Sequence, residues 1–221
     1  MDKKIKKGEY LDTLLRSKKT VFSTKDVALL WGEESEGATR VRLSYYVKTG
    51  KLIRIHRGLY AKDEDYDRFE LATRIYTPSY ISFETVLTRT GINFQYYNNI
   101  FVASYVNREI EIAGQKITFI RMKGYVLSNT AGIEHNDGYA IATKERAFLD
   151  RIYVSKDYHF DNLDPLNWDR VFEILPIYNN KRMMKKVNKY FEHYKSTKLL
   201  YDIRLLNPQK YTASNSQRNL F

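Results

Sequence analysis

Cysteine is absent from the 221-residue chain, and proline occurs only four times. Without cysteine the protein can form neither a disulfide nor a zinc site with thiolate ligands, and no thiolate can act as a nucleophile. Long apolar runs are missing too, since no stretch approaches the roughly 18 residues of a membrane span. The lysine-rich start, MDKKIKKGEY, has no apolar segment behind it, so we expect no secretory signal and a cytoplasmic protein.

Motifs that mark enzymes are also missing. The sequence has no glycine-rich phosphate-binding motif and no nucleophile-elbow motif. Glu145 and Asp150 would stand about 140° apart around a helix, so they do not form a catalytic pair, and Asp150 instead suits an ion pair with Arg146. The four histidines lack the spacing of metal ligands. They are His56, His135, His159 and His193. We therefore predict that the protein is not an enzyme and has no metal site or cofactor.

Positive charge exceeds negative charge by a wide margin. The chain has 37 Lys and Arg against 26 Asp and Glu, for a net charge of +11. This balance favours an acidic partner such as nucleic acid, although a basic composition alone does not identify the partner. Nineteen tyrosines add side chains with an apolar body and a polar tip, which suit interfaces.

The basic residues concentrate between Ala38 and Lys62. This window contains seven Lys or Arg and no Asp or Glu, whereas acidic residues stand directly before and after it. The seven are Arg40, Arg42, Lys48, Lys51, Arg54, Arg57 and Lys62. A cationic window bounded so sharply predicts a surface for a polyanion, and double-stranded DNA is the first candidate. A solvated cationic face without a ligand and an RNA-binding surface are the alternatives.

Local signals predict three helices and a hairpin in and before this window. Ser23 followed by Asp26 marks the start of the second helix. The third helix is expected from about Ala38 to Thr49, with Gly50 in the left-handed conformation after it. An alternating basic strand and a tight turn follow. This order of elements predicts a winged helix-turn-helix in residues 1–64.

The third helix divides into an apolar and a polar side on a 3.6-residue wheel. Leu43, Tyr46 and Val47 fall on the side assigned to the core, and the polar side is expected to face a major groove. Arginine binds guanine there through two hydrogen bonds, whereas Ser, Thr and Tyr reach bases or phosphates. Cations in the hairpin are expected to lie against the sugar–phosphate backbone. The predicted DNA-binding residues are Thr39, Arg40, Arg42, Ser44, Tyr45, Lys48, Arg54, His56 and Arg57.

Beyond the window the chain alternates between helical and strand patterns, so the predicted fold class is α+β. The predicted segments are a linker helix in residues 65–79, a mixed α+β domain in residues 80–206 and a polar tail in residues 207–221. Thr143 is expected to cap a helix from Lys144 to Val154. The basic helix at residues 181–195 has two interpretations. It is either an amphipathic helix packed on its own domain, or a second contact for nucleic acid or an acidic partner.

The basic window resembles the amino-terminal winged helix of AbiEi-type antitoxins, from type IV (abortive infection) toxin–antitoxin systems. The family pattern G-x-L-x-R-I-x-R-G-x-Y stands here as the residues from Gly50 to Tyr60. Later segments are similar and follow the family order. They are YISFETVLTRTGI (80–92), IFVAS (100–104), ITFIRM (117–122) and YAIATKERAFLD (139–150). The resemblance runs from about Val21 to Val154.

The resemblance implies a bacterial transcriptional regulator with a part in phage defence. Its winged helix would bind inverted repeats in the promoter of its own operon. The DNA role would fall on Arg40, Arg42, Tyr45, Lys48, Arg54 and Arg57. Its other domain would counter a nucleotidyltransferase-like toxin, without requiring direct contact with it. A stand-alone DNA-binding regulator or interaction module, and a nucleic-acid-processing enzyme with an unrecognised site, are the alternatives.

One feature of the loop before the third helix departs from an ideal DNA-binding surface. Glu33, Glu34 and Glu36 stand in it, and their charges would repel a phosphate that came close.

Overall fold

The computed structural model describes residues 8–206, with side chains described for residues 8–200. Within that part of the chain the fold is mixed α+β, as the sequence predicts. The helices are α1 (Glu9–Leu15), α2 (Thr24–Trp31), α3 (Glu36–Lys48), α4 (Arg68–Ile75), α5 (Glu84–Arg89), α6 (Gly124–Leu127), α7 (Lys144–Val154), α8 (Trp168–Ile174) and α9 (Lys181–Leu206). The strands are β1 (Val21–Ser23), β2 (Ile53–His56), β3 (Leu59–Ala61), β4 (Tyr80–Ile81), β5 (Ile100–Ser104), β6 (Arg108–Ile112), β7 (Gln115–Arg121), β8 (Ile133–His135) and β9 (Ala140–Ala142). The predicted polar tail, 207–221, lies outside the described residues.

Helices α1 to α3 pack on a small sheet and form what we call the amino-terminal module. The sheet is antiparallel with strand order β1-β3-β2. Trp31 stands at the centre of its core, with the rings of Tyr10 and Tyr46 edge-on at centroid distances of 5.1 and 6.3 Å. The indole N–H of Trp31 donates to the Tyr10 carbonyl at 2.9 Å, and Leu14 and Leu43 are fully buried. One aromatic residue therefore holds all three helices together.

The ends of α2 and α3 follow the local signals in the sequence. The Ser23 hydroxyl accepts a hydrogen bond from the Asp26 amide, and the Asp26 carboxylate accepts one from the Ser23 amide, which completes a capping box. Gly50 follows α3 with φ of 68°, in the left-handed region that favours glycine. Both predictions are confirmed. The chain therefore passes from α3 into the hairpin within a few residues.

Strands β4 to β9 and helices α5 to α9 form the carboxy-terminal module. Its six-stranded sheet has the order β6-β7-β5-β4-β9-β8. The β5–β7 and β4–β9 pairs are parallel, and the remaining pairs are antiparallel. Phe119 from the sheet and Phe148, Leu149 and Val171 from the helices lie in one continuous buried apolar cluster. As predicted, Thr143 caps α7, and its side chain accepts from the Arg146 amide.

A polar network lies inside this apolar core. Arg146 and Asp150 are both fully buried, and their ion pair spans 3.2 Å from Nε to Oδ1, which confirms the pairing expected from the sequence. The hydroxyls of Tyr80, Ser82 and Tyr178 donate to the same carboxylate at 3.0, 2.8 and 2.6 Å. Burial raises the pKa values of both tyrosines well above 10, because a phenolate would be buried beside Asp150. The tyrosines therefore remain hydrogen-bond donors at physiological pH.

The two modules share an apolar cluster, and ion pairs attach α4 to the amino-terminal module. Side chains of β1, β3, α4 and β6 form the cluster, which includes Leu59, Leu71 and Ile112. Beside it, Arg74 of α4 bonds Asp26 of α2 at 2.7 Å and Glu70 at 3.1 Å. Helix α4, predicted as a linker, is thus packed between the modules.

Some elements differ from the prediction. Strands β1, β4 and β8 and the one-turn helix α6 were not predicted. They are two to four residues long, so their sequences carry too few positions for a periodic pattern. Helix α9 continues to Leu206, beyond the predicted end near Lys195.

Replacing Arg146 with methionine should lower the free energy of unfolding by roughly 3–5 kcal/mol, because Asp150 would lose its buried ionic partner. The matched control is Arg170→Met, which removes the exposed Arg170–Glu173 ion pair and should cost less than about 1 kcal/mol. Urea denaturation followed by circular dichroism measures both changes. If both variants lost less than about 1 kcal/mol in the free energy of unfolding, the buried Arg146–Asp150 pair would contribute no more to stability than an exposed pair does.

Candidate nucleic-acid interface

Helix α3 has one buried face and one exposed face. Thr39, Leu43 and Tyr46 form the buried stripe. The residues on the opposite side are exposed: Arg40, Val41, Ser44, Tyr45 and Lys48. This division agrees with the predicted core side for Leu43 and Tyr46, and Val47 is half-buried beside them. The exposed face therefore carries cationic, hydroxyl and apolar groups together.

The hairpin adds a second exposed row of cations. Strand β2 alternates in burial, with Arg54 and His56 exposed and Ile53 and Ile55 half-buried, as the sequence predicts. Arg57 is exposed in the turn. The β2–β3 register shifts between Arg54 and His56, so the strand pairing is irregular at that point.

Thr39 was predicted to contact DNA, and its position contradicts that prediction. The side chain is completely buried. Its hydroxyl donates to the Glu33 carboxylate at 2.7 Å. Thr39 shares the helix stripe of Leu43 and Tyr46, so it points into the module and stabilises the start of α3.

Arg42 is not a free cation on the exposed face. Its guanidinium forms an ion pair with Glu33 and lies over the ring of Tyr10, with the guanidinium carbon 3.7 Å from the ring centroid, and 5.4 Å from that of Trp31. Its side chain is 31% exposed. The arginine expected to bind guanine is therefore engaged inside the amino-terminal module, in a cation–π arrangement.

Of the three acids before and at the start of α3, two are paired with predicted DNA-binding residues. Glu33 bonds Thr39 and Arg42, and Glu36 bonds Arg40 across 2.9 Å at the surface. Although partial burial raises the pKa of Glu33, the hydrogen bonds from Thr39 and Arg42 and the Arg42 charge lower it overall. The charges of Glu33 and Glu36 are therefore balanced by neighbouring arginines, and they would repel a DNA phosphate less than unpaired carboxylates would.

The cations that remain lie on α3 and the hairpin. Lys48, Lys51, Arg54 and Arg57 are exposed, and none forms an ion pair with another residue whose side chain is described. Below, the name cationic ridge stands for these four exposed residues together with Arg40, which is also exposed.

Sequence reasoning missed Val41. Its side chain is 73% exposed on the same face as Ser44 and Tyr45. The helical wheel places Val41 on that face, because it stands three and four positions before those residues, but a valine is usually expected in a core.

The basic helix α9 packs on its own module along one side. Met183 and Val187 are buried in the main core, and the Lys186 ammonium donates to the Ser155 carbonyl at 3.0 Å. These contacts favour the interpretation as a packed amphipathic helix, with its other lysines exposed.

Across residues 8–206 no helix is long and apolar enough to cross a membrane. Within the same described part, no group of three or more His, Asp or Glu is placed to hold a metal ion.

Glu33→Gln should lower the free energy of unfolding near pH 7 by about 1–3 kcal/mol, because hydrogen bonds to the charged carboxylate are lost. The pKa of Glu33 is lower in the folded protein than its ordinary value of 4.5. Its stabilisation is therefore complete above about pH 4.5 and is lost as the pH falls through the folded pKa. Denaturation over a series of pH values should show the full difference from the wild type at pH 7, and the difference should shrink as the pH falls below about 4.5 through the folded pKa of Glu33. Glu34→Gln, an exposed neighbour, is the control, and an equal loss in that variant would contradict the assignment.

Comparison with known proteins gives one informative match. No curated protein matches the sequence. Among solved structures, the chain is similar to the crystal structure of RV2827C protein from Mycobacterium tuberculosis, with 11% identity, 80% of this chain and 78% of that chain covered, and a TM-score of 0.37. A likeness at this level supports no argument about fold or function. Residues 9–61 match the family model described as transcriptional regulator, AbiEi antitoxin, so the amino-terminal module is similar to the AbiEi domain.

Proposed function

We propose that the protein is a DNA-binding antitoxin and transcriptional autorepressor. The observation that carries the proposal is the cationic ridge, which lies on the module that matches the AbiEi domain. In this proposal the module is a winged helix-turn-helix, with α3 as the recognition helix and the β2–β3 hairpin as the wing. Double-stranded DNA in the promoter of its own operon is the partner, and the site of action is the bacterial cytoplasm.

The shape of the ridge supports DNA as its ligand. Helix α3 has 13 residues, about 20 Å in length, and a helix of that size fits a major groove. The hairpin follows α3 directly in the chain, so we expect its cations to reach the phosphates beside that groove. Electrostatic attraction of this kind supplies most sequence-independent affinity for DNA.

The structure narrows the residues that we assign to the contact. Thr39 is removed because it is buried, and Arg42 is reassigned to holding α3 in place. The proposed DNA-binding set is Arg40, Ser44, Tyr45 and Lys48 on α3, and Arg54, His56 and Arg57 on the hairpin.

The antitoxin role is proposed for the carboxy-terminal module. It rests on the AbiEi match and on the resemblance of later segments to the family, up to about Val154. The toxin is expected to be a nucleotidyltransferase-like protein, and direct contact with it is not required. Because the family match ends at residue 61, a stand-alone winged-helix regulator or an interaction module without antitoxin activity is the second candidate.

Charge reversal on the ridge should weaken DNA binding. The double variant Lys48→Glu/Arg54→Glu removes one exposed cation from α3 and one from β2. It should lose at least about tenfold in duplex affinity near 150 mM salt, and the slope of log K against log salt should fall by about 0.9 for each lost phosphate contact. Gel shifts with the upstream region of its own gene measure both quantities.

Lys185→Glu/Lys189→Glu is the matched control, because it makes the same charge change on exposed positions of α9. Its affinity should stay within about twofold of the wild type. Equal weakening in both double variants would show that net charge, and not the ridge, determines binding, and unchanged binding in the ridge variant would remove α3 as the recognition helix.

Repression and toxin neutralisation can be tested separately in cells. A reporter behind the upstream region should be repressed by the wild type and released by Lys48→Glu/Arg54→Glu. Expression of a neighbouring nucleotidyltransferase-like gene alone should inhibit growth, and co-expression of this protein with it should restore growth. Failure of the wild type to rescue growth, with repression intact, would support the stand-alone regulator.

A further inference from the structure

The exposed face of α3 has an apolar centre. Val41 is 73% exposed and Tyr45 is 58% exposed, and they stand four positions apart, so their side chains are neighbours on the helix surface. Single exposed apolar residues need no explanation. These two differ because they occupy the middle of the proposed recognition helix, between Arg40 and Lys48.

The charges around this apolar pair favour DNA over a protein partner. Arg40 and Lys48 flank it on α3, and Arg54 and Arg57 are exposed on the hairpin that follows. The one carboxylate of α3, Glu36, is already bonded to Arg40. Protein interfaces usually have a broad apolar core with few charges at the centre, whereas here two apolar side chains stand within a row of cations.

The middle of this face also lacks a free arginine. Arg42 is bound to Glu33 and packed on Tyr10, so the usual two-bond contact from arginine to guanine has no donor there. Ser44 and the Tyr45 hydroxyl are the polar groups that remain at the centre. The chemistry of the face therefore suits a base pair that offers an apolar group beside a hydrogen-bond acceptor.

Among the four bases, thymine has that combination in the major groove. Its C5-methyl group is the one apolar feature there, and its O4 accepts hydrogen bonds. The two methyl groups of valine can make apolar contact with it. Because valine has one strongly preferred rotamer in a helix, its side chain loses little conformational entropy on binding. The Tyr45 ring is supported by the ring of Tyr46, 5.8 Å away between centroids.

We propose that Val41, supported by Tyr45, recognises the C5-methyl group of a thymine in the operator and so determines sequence specificity. This inference rests on the proposed function, because it requires α3 to enter a major groove. The cationic ridge supplies affinity for any duplex, and the apolar pair supplies discrimination.

The test uses full-length protein and a duplex that the protein selects from a random-sequence pool. Each thymine of the selected site is replaced in turn by deoxyuridine, which lacks only the methyl group. The wild type should lose roughly fourfold in affinity at one thymine per half-site, the value expected for one buried methyl group. Val41→Ala should lose a similar factor on the thymine duplex and should bind thymine and uracil duplexes equally. Alanine favours helix more than valine does, so the variant is expected to fold.

Met184→Ala, an exposed apolar position on α9, is the matched control, and it should keep the full thymine preference. Wild-type binding that is indifferent to every uracil replacement would overturn the inference and leave the proposed function standing. A thymine preference that survives in Val41→Ala would overturn it as well, since another group would then read the methyl. Loss of self-association in Val41→Ala, with DNA binding unchanged, would assign the pair to a protein interface. Absence of any salt-dependent duplex binding would overturn the inference together with the proposed function.

Discussion

The Glu33 carboxylate fixes the rotation of α3 about its own axis, together with the buried stripe that includes Leu43 and Tyr46. It bonds the Thr39 hydroxyl at the start of the helix and the Arg42 guanidinium one turn later. That guanidinium lies over Tyr10 of α1 and approaches Trp31 of α2, so the contact connects all three helices. A rotation of α3 by one residue, about 100°, would break these bonds and leave partly buried charges unpaired. The exposure of the opposite face follows from this constraint.

Local signals in the sequence were sufficient for the framework of the amino-terminal module. The capping box of Ser23 and Asp26 and the left-handed conformation of Gly50 each involve only residues that are close in sequence. They can therefore be predicted without knowledge of the tertiary structure. Alternation in β2 predicted that Arg54 and His56 face away from Ile53 and Ile55. The match of residues 9–61 to the AbiEi domain confirms the family resemblance there, while its extension to about Val154 remains a prediction.

The errors at the candidate site have a shared physical cause. Thr39 and Arg42 were assigned outward because threonine and arginine are usually exposed. Inside the module, the polar groups of Thr39 and Arg42 are paired with Glu33, and the Arg42 guanidinium also lies over two aromatic rings. These contacts are made between different elements, which a helical wheel of one helix does not represent. Val41 was missed for the opposite reason, because a valine is usually expected in a core. The buried position of the Arg146–Asp150 pair was likewise set by the tyrosines around it, although its spacing was visible in α7.

The hairpin depends on the second module for its support. Its cationic side faces solvent, and Ile53 and Ile55 on the other side pack in the cluster that includes Ile110 and Ile112 of the edge strand β6. One strand edge of the large sheet therefore lies behind the proposed wing. The contact protects apolar side chains of both modules from water, and it limits how far the hairpin can turn relative to the rest of the protein.

Asp26 connects the amino-terminal module to α4 through hydrogen bonds. One of its carboxylate oxygens completes the capping box with Ser23 and also accepts from Arg74 of α4. Although burial opposes ionisation, the Ser23 hydrogen bonds and the Arg74 charge lower the pKa of Asp26 overall. Since α2 packs on α3 and Arg74 also bonds Glu70, displacement of α4 would disturb the helix against which the proposed recognition helix rests. The orientation of α3 and of the wing is therefore a property of both modules, and sequence changes at their junction should alter DNA affinity without touching the cationic ridge.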